Sequence, residues 1–131
     1  MKKIEVVAGI VINNGEILCV QRGENKRSYI SKKFEFPGGK VEDGETQEAA
    51  LQRELQEELS ISPVIKELFL TVIHQYPDFE ITMHSFLCES GSKQINLTEH
   101  IKSEWLTPDK LEMLDWAAAD IPIVKKLIEN G

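Results

Sequence analysis

The 131-residue sequence is poor in cysteine and lacks long apolar runs, and each shortage excludes a class of protein. Its two cysteines, Cys19 and Cys88, lie far apart and outside any metal-ligand spacing, which predicts free thiols. No apolar run approaches the roughly 18 residues that a membrane-spanning helix needs. Lys2 and Lys3 precede an apolar stretch that Glu5 interrupts, so no secretory signal peptide is expected. We therefore expect a cytoplasmic protein with no membrane partner.

Positive charge is scarce as well, because 15 Lys and Arg residues face 22 Asp and Glu residues and the formal net charge is −7. A protein that binds a long nucleic acid usually presents a basic face, so we expect no polymeric nucleic acid as a partner. A small phosphorylated ligand stays compatible with this charge, because a bound metal cation reverses the sign of a site. The length and the 41% hydrophobic content predict one domain over residues 1–131, as a monomer or a weak dimer.

Hydrophobic patterning predicts strands in both halves of the chain and two main helices. Asn13-Asn14-Gly15 is typical of a tight hairpin turn between the first two strands. Thr46 is a good helix N-cap and is followed by leucines four residues apart, which predicts the helix Gln47–Leu59. Thr107-Pro108-Asp109 is a helix-start signal, and a last helix is expected over Ile123–Glu129.

The order of these elements indicates a fold class. Polar segments at Gly23–Lys33 and Ser90–His100 are expected to be loops. The expected strands are Val6–Ile12, Glu16–Arg22, Phe34–Phe36, Ile65–Gln75, Glu80–Cys88 and Glu104–Leu106. Strands, helix, strands and helix in succession predict an α/β (α+β) fold, in which a mixed β-sheet is sandwiched between α-helices.

Four charged residues of the first helix, Arg53, Glu54, Glu57 and Glu58, share one side of it, away from the leucine stripe. A solvated acidic face is the ordinary interpretation of such a cluster. Glu58 follows Glu54 at a spacing where like charges cost about 0.2–0.5 kcal/mol. A divalent cation would turn this repulsion into binding, because Mg²⁺ prefers oxygen ligands such as carboxylates. The flexible backbone at Gly38, before the helix, can offer a carbonyl to such an ion.

The segment from Gly39 to Ile61 resembles the signature of the Nudix hydrolase family, the Nudix box. The matching positions are Gly39, Glu45, Arg53, Glu54, Leu55, Glu57, Glu58 and Ile61. Ser60 stands where the family has Gly. That Gly lies just beyond the helix, where a left-handed residue is convenient, so we expect Ser60 to cost some stability and to remove no ligand. So many fixed positions make the motif far more specific than a lone glycine loop, which weakens the acidic-face interpretation.

The resemblance extends over nearly the whole chain, to MutT-type members of the family. Phe34–Lys40 is similar to the loop that leads into their box. Glu99, six residues before Trp105, matches a loop glutamate that ligates metal in those enzymes. Ala119–Pro122 is similar to the C-terminal element that contacts the base, in the form that the CTP pyrophosphatase branch carries.

The resemblance implies a Mg²⁺-dependent hydrolase, with Mn²⁺ as a substitute. The metal ligands would be Glu54, Glu57, Glu58, Glu99 and the carbonyl of Gly38. The same glutamates and Arg53 would form the catalytic set, and one glutamate would act as general base, a choice that the sequence leaves open. Arg53 would orient a ligand carboxylate by bidentate hydrogen bonding, and Glu45 would brace the loop and the helix.

The resemblance also implies a small nucleoside triphosphate as substrate, cleaved to the monophosphate and pyrophosphate. Three residues are candidates to bind it, and each has an ordinary alternative. Arg22 would contact phosphate or sugar, or is a surface arginine at a strand end. Phe36 would line the base pocket or belong to the core, and Asp120 would bind the base or cap the last helix.

Three functions remain open from the sequence. The first is hydrolysis of 8-oxo-dGTP or a close relative. The second is a CTP or (d)CTP-type pyrimidine pyrophosphohydrolase, which Ala119–Pro122 favours. The third is a non-catalytic, nucleotide-binding Nudix-like module. Such modules usually have a degraded box, whereas every charged position of the box is intact here, which argues against the third function.

Overall fold

A seven-stranded mixed sheet organises residues 2–131, the part of the chain that this computed structural model describes. The helix α1 (Gln47–Leu59) lies between its fourth and fifth strands, and α2 (Ile121–Asn130) follows the last strand. Two short 3₁₀ helices, Pro108–Met113 and Ala118–Asp120, precede α2. The strands are β1 (Lys2–Asn13), β2 (Glu16–Arg22), β3 (Phe34–Glu35), β4 (Gly38–Lys40), β5 (Val64–Gln75), β6 (Phe79–Glu89) and β7 (His100–Leu106).

The central strand is β1, and it changes partner along one of its edges. On one side it runs parallel to β6 over Lys2–Ile12. On the other side it pairs antiparallel first with β4, over Val6–Ala8, and then with β2 at Ile12 and Asn13. β2 in turn pairs with β3 and β7, and β5 pairs antiparallel with β6 at the far edge. The sheet thus brings β3, β4 and the start of β7 close to the end of β2.

The two faces of the sheet bury separate hydrophobic clusters. Alternate residues of β2 contribute to each, because side chains of a strand point to opposite faces. Ile17 and Cys19 belong to the cluster that α2 covers, and Leu18 and Val20 belong to the cluster that α1 covers. The predicted arrangement, a mixed sheet between helices, is therefore confirmed. No helix among residues 2–131 is both long and apolar enough to cross a membrane.

Local sequence signals account well for α1 and for the first hairpin. The Thr46 side chain accepts a hydrogen bond of 3.1 Å from the Ala49 N–H, as expected of an N-cap. Ser60 ends the helix in the left-handed region, with φ 58° and ψ 39°. Asn14 and Gly15 also have positive φ, 51° and 77°, which the tight β1–β2 turn requires.

Besides small shifts in the bounds of other elements, such as β1 and α2, three elements differ from the prediction. β7 begins at His100 rather than Glu104. Its first residues pair with the backbone of β2, and the local sequence pattern does not predict this pairing. β4 escaped prediction because Gly38-Gly39-Lys40 pairs with β1 through its backbone and carries no alternation of apolar side chains. Pro108 begins a 3₁₀ helix, not an α-helix. Each difference depends on long-range pairing or packing, which local propensity does not encode.

Candidate active site

Six of the sequence-predicted site residues line two adjoining cavities, whereas Arg53, Glu54 and Glu57 line neither of them. The larger cavity, about 340 Å³, is lined by residues that include Phe36 and Asp120. The smaller one, about 250 Å³, has Glu99 in its wall. Arg22 and Glu35 line both cavities, which therefore meet at these two side chains. An open groove of about 550 Å³ near the end of α1 contains none of the predicted site residues.

Glu58 is the most buried acidic residue of α1 and lines the smaller cavity. Its Oε1 has no hydrogen-bond partner among residues 2–131. Burial, and after it the negative charges of Glu54, Glu35 and Glu99, raises the pKa of Glu58 to about 8. A buried carboxylate oxygen without a donor is unfavourable, so this position suits a cation or a proton.

Gly38 and Gly39 lie in close contact with β1 and with the Glu54 carboxylate. A Cβ atom on Gly39 would overlap the Glu54 carboxylate, and one on Gly38 would overlap the Val7 carbonyl of β1. Only glycine permits so close an approach of backbone to backbone at Gly38, whereas a side chain at Gly39 would displace the Glu54 carboxylate. Burial is also the main reason why the pKa of Glu54 is raised. It is Gly39 that lies against Glu54, and the expectation that the Gly38 carbonyl ligates a metal ion stays a prediction.

Arg53 forms its bidentate pair with Glu45 and not with an expected metal ligand. Its Nε donates to Glu45 Oε2 at 2.7 Å and its Nη2 donates to Glu45 Oε1 at 2.9 Å. Glu57 and Glu54 each approach only Nη1, at 3.4 Å and 3.5 Å. The prediction of a bidentate ligand carboxylate was therefore wrong. Glu54 and Glu57 lie on the same helix as Arg53 and reach Nη1, whereas Glu45 accepts from both Nε and Nη2.

The Arg53–Glu45 pair holds the loop before α1 to the helix. Arg53 Nη2 also donates to the Lys40 carbonyl at 3.0 Å, and Glu45 Oε1 accepts from the Glu42 N–H at 2.9 Å. Hydrogen bonding to Arg53 lowers the pKa of Glu45 to about 2. These contacts agree with the prediction that Glu45 braces the loop against the helix. Arg53 is the residue of the helix to which Glu45 binds.

The acidic residues of α1 offer only part of what Mg²⁺ requires. No group of three or more His, Cys, Asp or Glu side chains among residues 2–131 converges closely enough to hold a metal ion. Mg²⁺ usually keeps several waters and takes one or two carboxylates together with substrate phosphates, so a complete protein cage is not required. The unpartnered Oε1 of Glu58, with the charges of Glu54 and Glu99 close by, fits such an ion. Glu57 is exposed on the same helix.

Phe36 and Asp120 both face the larger cavity. The Phe36 ring packs on Trp116 with centroids 4.7 Å apart and is almost fully buried, so it is a core residue and a cavity wall at once. The Asp120 side chain makes no capping bond to α2; its Oδ1 accepts from the Phe36 N–H at 3.1 Å. Asp120 is thus the N-cap residue of α2 by position, as the sequence allowed, but its side chain does not cap the helix. Burial, and after it the charge of Glu35, raises the pKa of Asp120 well above its usual value.

Three further residues of this region carry little sequence signal of their own. Glu35 accepts from Arg22 Nε at 2.9 Å and pairs with His100 Nε2 at 3.1 Å. Tyr76 lines the larger cavity, and its hydroxyl accepts from the Ala119 N–H at 3.1 Å. For Glu35 the sequence does carry one signal, because a charged residue stands between Phe34 and Phe36, which are both buried.

Comparisons with known proteins agree with this geometry. The NUDIX domain model matches residues 3–127. The chain is 38% identical over 128 residues to the 8-oxo-dGTP diphosphatase of Escherichia coli K12, covering 97% of this chain and 98% of that protein. It is 35% identical over 125 residues to the CTP pyrophosphohydrolase of the same organism, covering 95% of this chain and 91% of that one. The solution structure of MutT from methicillin-resistant Staphylococcus aureus 252 has 36% identity and a TM-score of 0.77, and the match covers 100% of both chains.

The family match spans nearly all of the chain, and the intact box lies where the structure places the acidic cluster. Both relatives are named for the cleavage of phosphoanhydride bonds. The chain therefore belongs to the Nudix hydrolase family, as a MutT-like enzyme that acts on phosphoanhydride bonds.

Proposed function

We propose that this enzyme requires Mg²⁺, with Mn²⁺ as a substitute, and cleaves 8-oxo-dGTP or a related nucleoside triphosphate to the monophosphate and pyrophosphate. The observation that supports this most is the buried, unpartnered Glu58 Oε1 in the wall of the smaller cavity, which adjoins a cavity of about 340 Å³. Cavities of roughly 300–1,000 Å³ suit small organic ligands. An acidic cluster next to such a cavity is expected of a site that receives phosphates together with a cation.

The cation would be held by Glu54, Glu57 and Glu58, with the Gly38 carbonyl and Glu99. When bound there, Mg²⁺ would neutralise phosphate charge and polarise the phosphoanhydride for attack by water. One of these glutamates would accept the proton of that water. Arg53 would keep α1 and the preceding loop in place through Glu45, and would stay outside direct contact with phosphate.

The nucleotide would span the two cavities. Arg22 lies where they meet and would bind phosphate or sugar, with Phe36 and Asp120 in the wall of the base end. This division follows from the chemistry of the walls, because the acidic cluster lies at one end and the aromatic and buried polar groups lie at the other. Both cysteines are buried free thiols, which fits the proposed cytoplasmic location.

A pyrimidine triphosphate is the second candidate substrate. The relative named CTP pyrophosphohydrolase is 35% identical, close to the 38% of the 8-oxo-dGTP diphosphatase. Asp120 lies in the cavity wall and can accept a hydrogen bond from an exocyclic amine, which cytosine and guanine both carry. The residue therefore favours neither base, and the choice depends on the shape of the cavity.

The test is a panel of canonical, oxidised and methylated nucleoside triphosphates incubated with the purified protein and Mg²⁺. Pyrophosphate release that stops with excess EDTA and returns with Mg²⁺ is the expected result. If CTP and 5-substituted dCTP are cleaved far more slowly than 8-oxo-dGTP, the pyrimidine candidate fails; the reverse order removes the 8-oxo-dGTP candidate. Folded protein that releases no pyrophosphate from any member would contradict the proposed reaction.

A further inference from the structure

Three strand ends meet at the junction of the two cavities. Arg22 is the last residue of β2, Glu35 is the last residue of β3, and His100 is the first residue of β7. Arg22 and His100 are register partners, across a β-bulge at Gln21 and Arg22. Bulges re-aim side chains, and this one lies where the arginine reaches the cavity wall. The register therefore places a base, an acid and an imidazole side by side.

The carboxylate of Glu35 joins the other two side chains. Its Oε1 accepts from Arg22 Nε at 2.9 Å, and its Oε2 lies 3.1 Å from His100 Nε2. Each oxygen thus has one partner, and the carboxylate plane is held from both sides. The exposed side-chain fractions fall from 48% for Arg22 through 18% for Glu35 to 3% for His100. The chain of contacts therefore runs from a buried anchor to a half-exposed cation.

The tautomer of His100 follows from its surroundings. A carboxylate oxygen only accepts, so Nε2 must carry a proton and donate it to Glu35. His100 Nδ1 is buried and has no hydrogen-bond partner among residues 2–131, so nothing else competes for the orientation of the ring. His100 makes its polar contact through Nε2 and Glu35 alone, as expected of a residue that orients Glu35.

Arg22 is held in turn through Nε only. Its two Nη groups have no acceptor among residues 2–131, although the charges of Glu35, Glu58 and Asp120 all act on it. A guanidinium fixed at Nε presents its remaining N–H groups as a preformed fork, which matches phosphate or a pair of sugar oxygens. Fixing it before binding lowers the entropy lost when the ligand arrives.

We propose that His100 is a positioning residue for the nucleotide: it orients Glu35, and Glu35 holds the Arg22 guanidinium at the junction of the two cavities. This role rests on the triphosphate hydrolysis proposed above. Loss of His100 would free one oxygen of Glu35 among other negative charges, so the carboxylate would turn and release Arg22. Ground-state binding would suffer more than the chemical step, because Arg22 lies beside the acidic cluster and not within it.

Two activity variants test this role. In His100→Leu we expect KM for the preferred triphosphate to rise about tenfold while kcat stays within about twofold. His100→Gln keeps a donor at nearly the same reach and should restore most of KM. In an Arg22→Ala background, His100→Leu should raise KM no further, because the contact that it supports is already gone. An equal additional rise in that background would overturn the proposal.

A ligand-free measurement separates this role from the proposed reaction. The Arg22 Nε–H resonance, assigned by its loss in Arg22→Lys, should be sharp in wild type and His100→Gln and broadened in His100→Leu and His100→Asn. The control is His84→Leu, which loses a similar 2.9 Å contact between a histidine and Glu5 elsewhere on the sheet and should leave this resonance unchanged. An unchanged resonance in folded His100→Leu and His100→Asn would overturn the positioning role, whatever the nucleotide panel gives.

Discussion

Burial governs the acid–base behaviour of single carboxyl groups around the two cavities. Asp120 and Glu58 both have a raised pKa, and burial is the largest cause in each case. The partly buried Glu45 has a lowered pKa, because Arg53 hydrogen-bonds to its charged form. The pKa of a carboxyl group in this region is thus raised or lowered according to whether burial or a neighbouring cation dominates.

Asp120→Asn should remove a pH dependence of stability. The folded-state pKa of Asp120 is raised, so from pH about 4 upward the folded protein keeps a proton that the unfolded chain loses, and stability falls as pH rises. Asparagine keeps an acceptor for the Phe36 N–H and carries no charge. We expect urea unfolding at pH 8 to show about 1–3 kcal/mol more stability than wild type, and less difference at pH 5. Parallel pH curves for variant and wild type would contradict this, and the exposed Asp43→Asn is the control.

Glu57→Gln should keep the fold and lose most of the Mg²⁺-dependent turnover. Its side chain is 57% exposed, so the substitution should leave the melting temperature nearly unchanged. Loss of a metal ligand should lower kcat about 100-fold, at the upper end of what even outer-sphere substitutions cost metal sites. The measurement is pyrophosphate release at saturating nucleotide, with Glu48→Gln in the first turn of α1 as a control. Near wild-type kcat would mean that Glu57 is not a ligand.

Among the elements, α1 carries most of the box residues and also has its own helix-forming signals. Its leucines anchor it in the core, Thr46 caps its start, and the opposite side carries the acidic residues. Ser60 ends it in a conformation that costs a residue with a side chain more than it costs glycine. The one departure from the box is thus a matter of stability, and it leaves the charged positions intact.

Ser60→Gly should stabilise the protein by about 0.5–1 kcal/mol, because relief of left-handed strain exceeds the added flexibility of the unfolded chain. The measurement is the free energy of unfolding from urea titration. Ser62→Gly serves as the control, since Ser62 is not a positive-φ residue and its hydroxyl donates to Gln56, so no gain is expected. A Ser60→Gly variant less stable than wild type would mean that the serine is favourable at this cap.

At the scale of the whole molecule, the loop after β2 docks across the β5–β6 turn. Asp78 accepts from Arg27 Nε at 2.9 Å and also from the Tyr29 hydroxyl. The Tyr29 ring stacks on Tyr76 with centroids 5.2 Å apart, and the Arg27 guanidinium lies 5.6 Å from the Phe79 ring centroid. Arg27, Tyr76 and Phe79 line the larger cavity, so this contact closes one side of it.

Asp78→Ala should therefore loosen the loop without unfolding the protein. Both charged partners are about half exposed, so the ion pair contributes at most about 1 kcal/mol. We expect backbone amide exchange over residues 24–32 to accelerate about threefold to tenfold, and KM to rise while global melting changes little. Glu24→Gln removes the Glu24–Lys32 pair within the loop and is the control. Unchanged exchange would show that ring stacking alone holds the loop.

The sequence by itself determined the family, α1 with its caps, the first hairpin and the acidic cluster, because these signals lie within a few residues of one another. Only the tertiary structure decided that the Asp120 side chain accepts from the Phe36 N–H and makes no capping bond to α2, and that His100 joins Glu35. These contacts join segments far apart in the chain, through strand registers and turns. Register depends on the whole sheet packing at once, so no local period or propensity announces it.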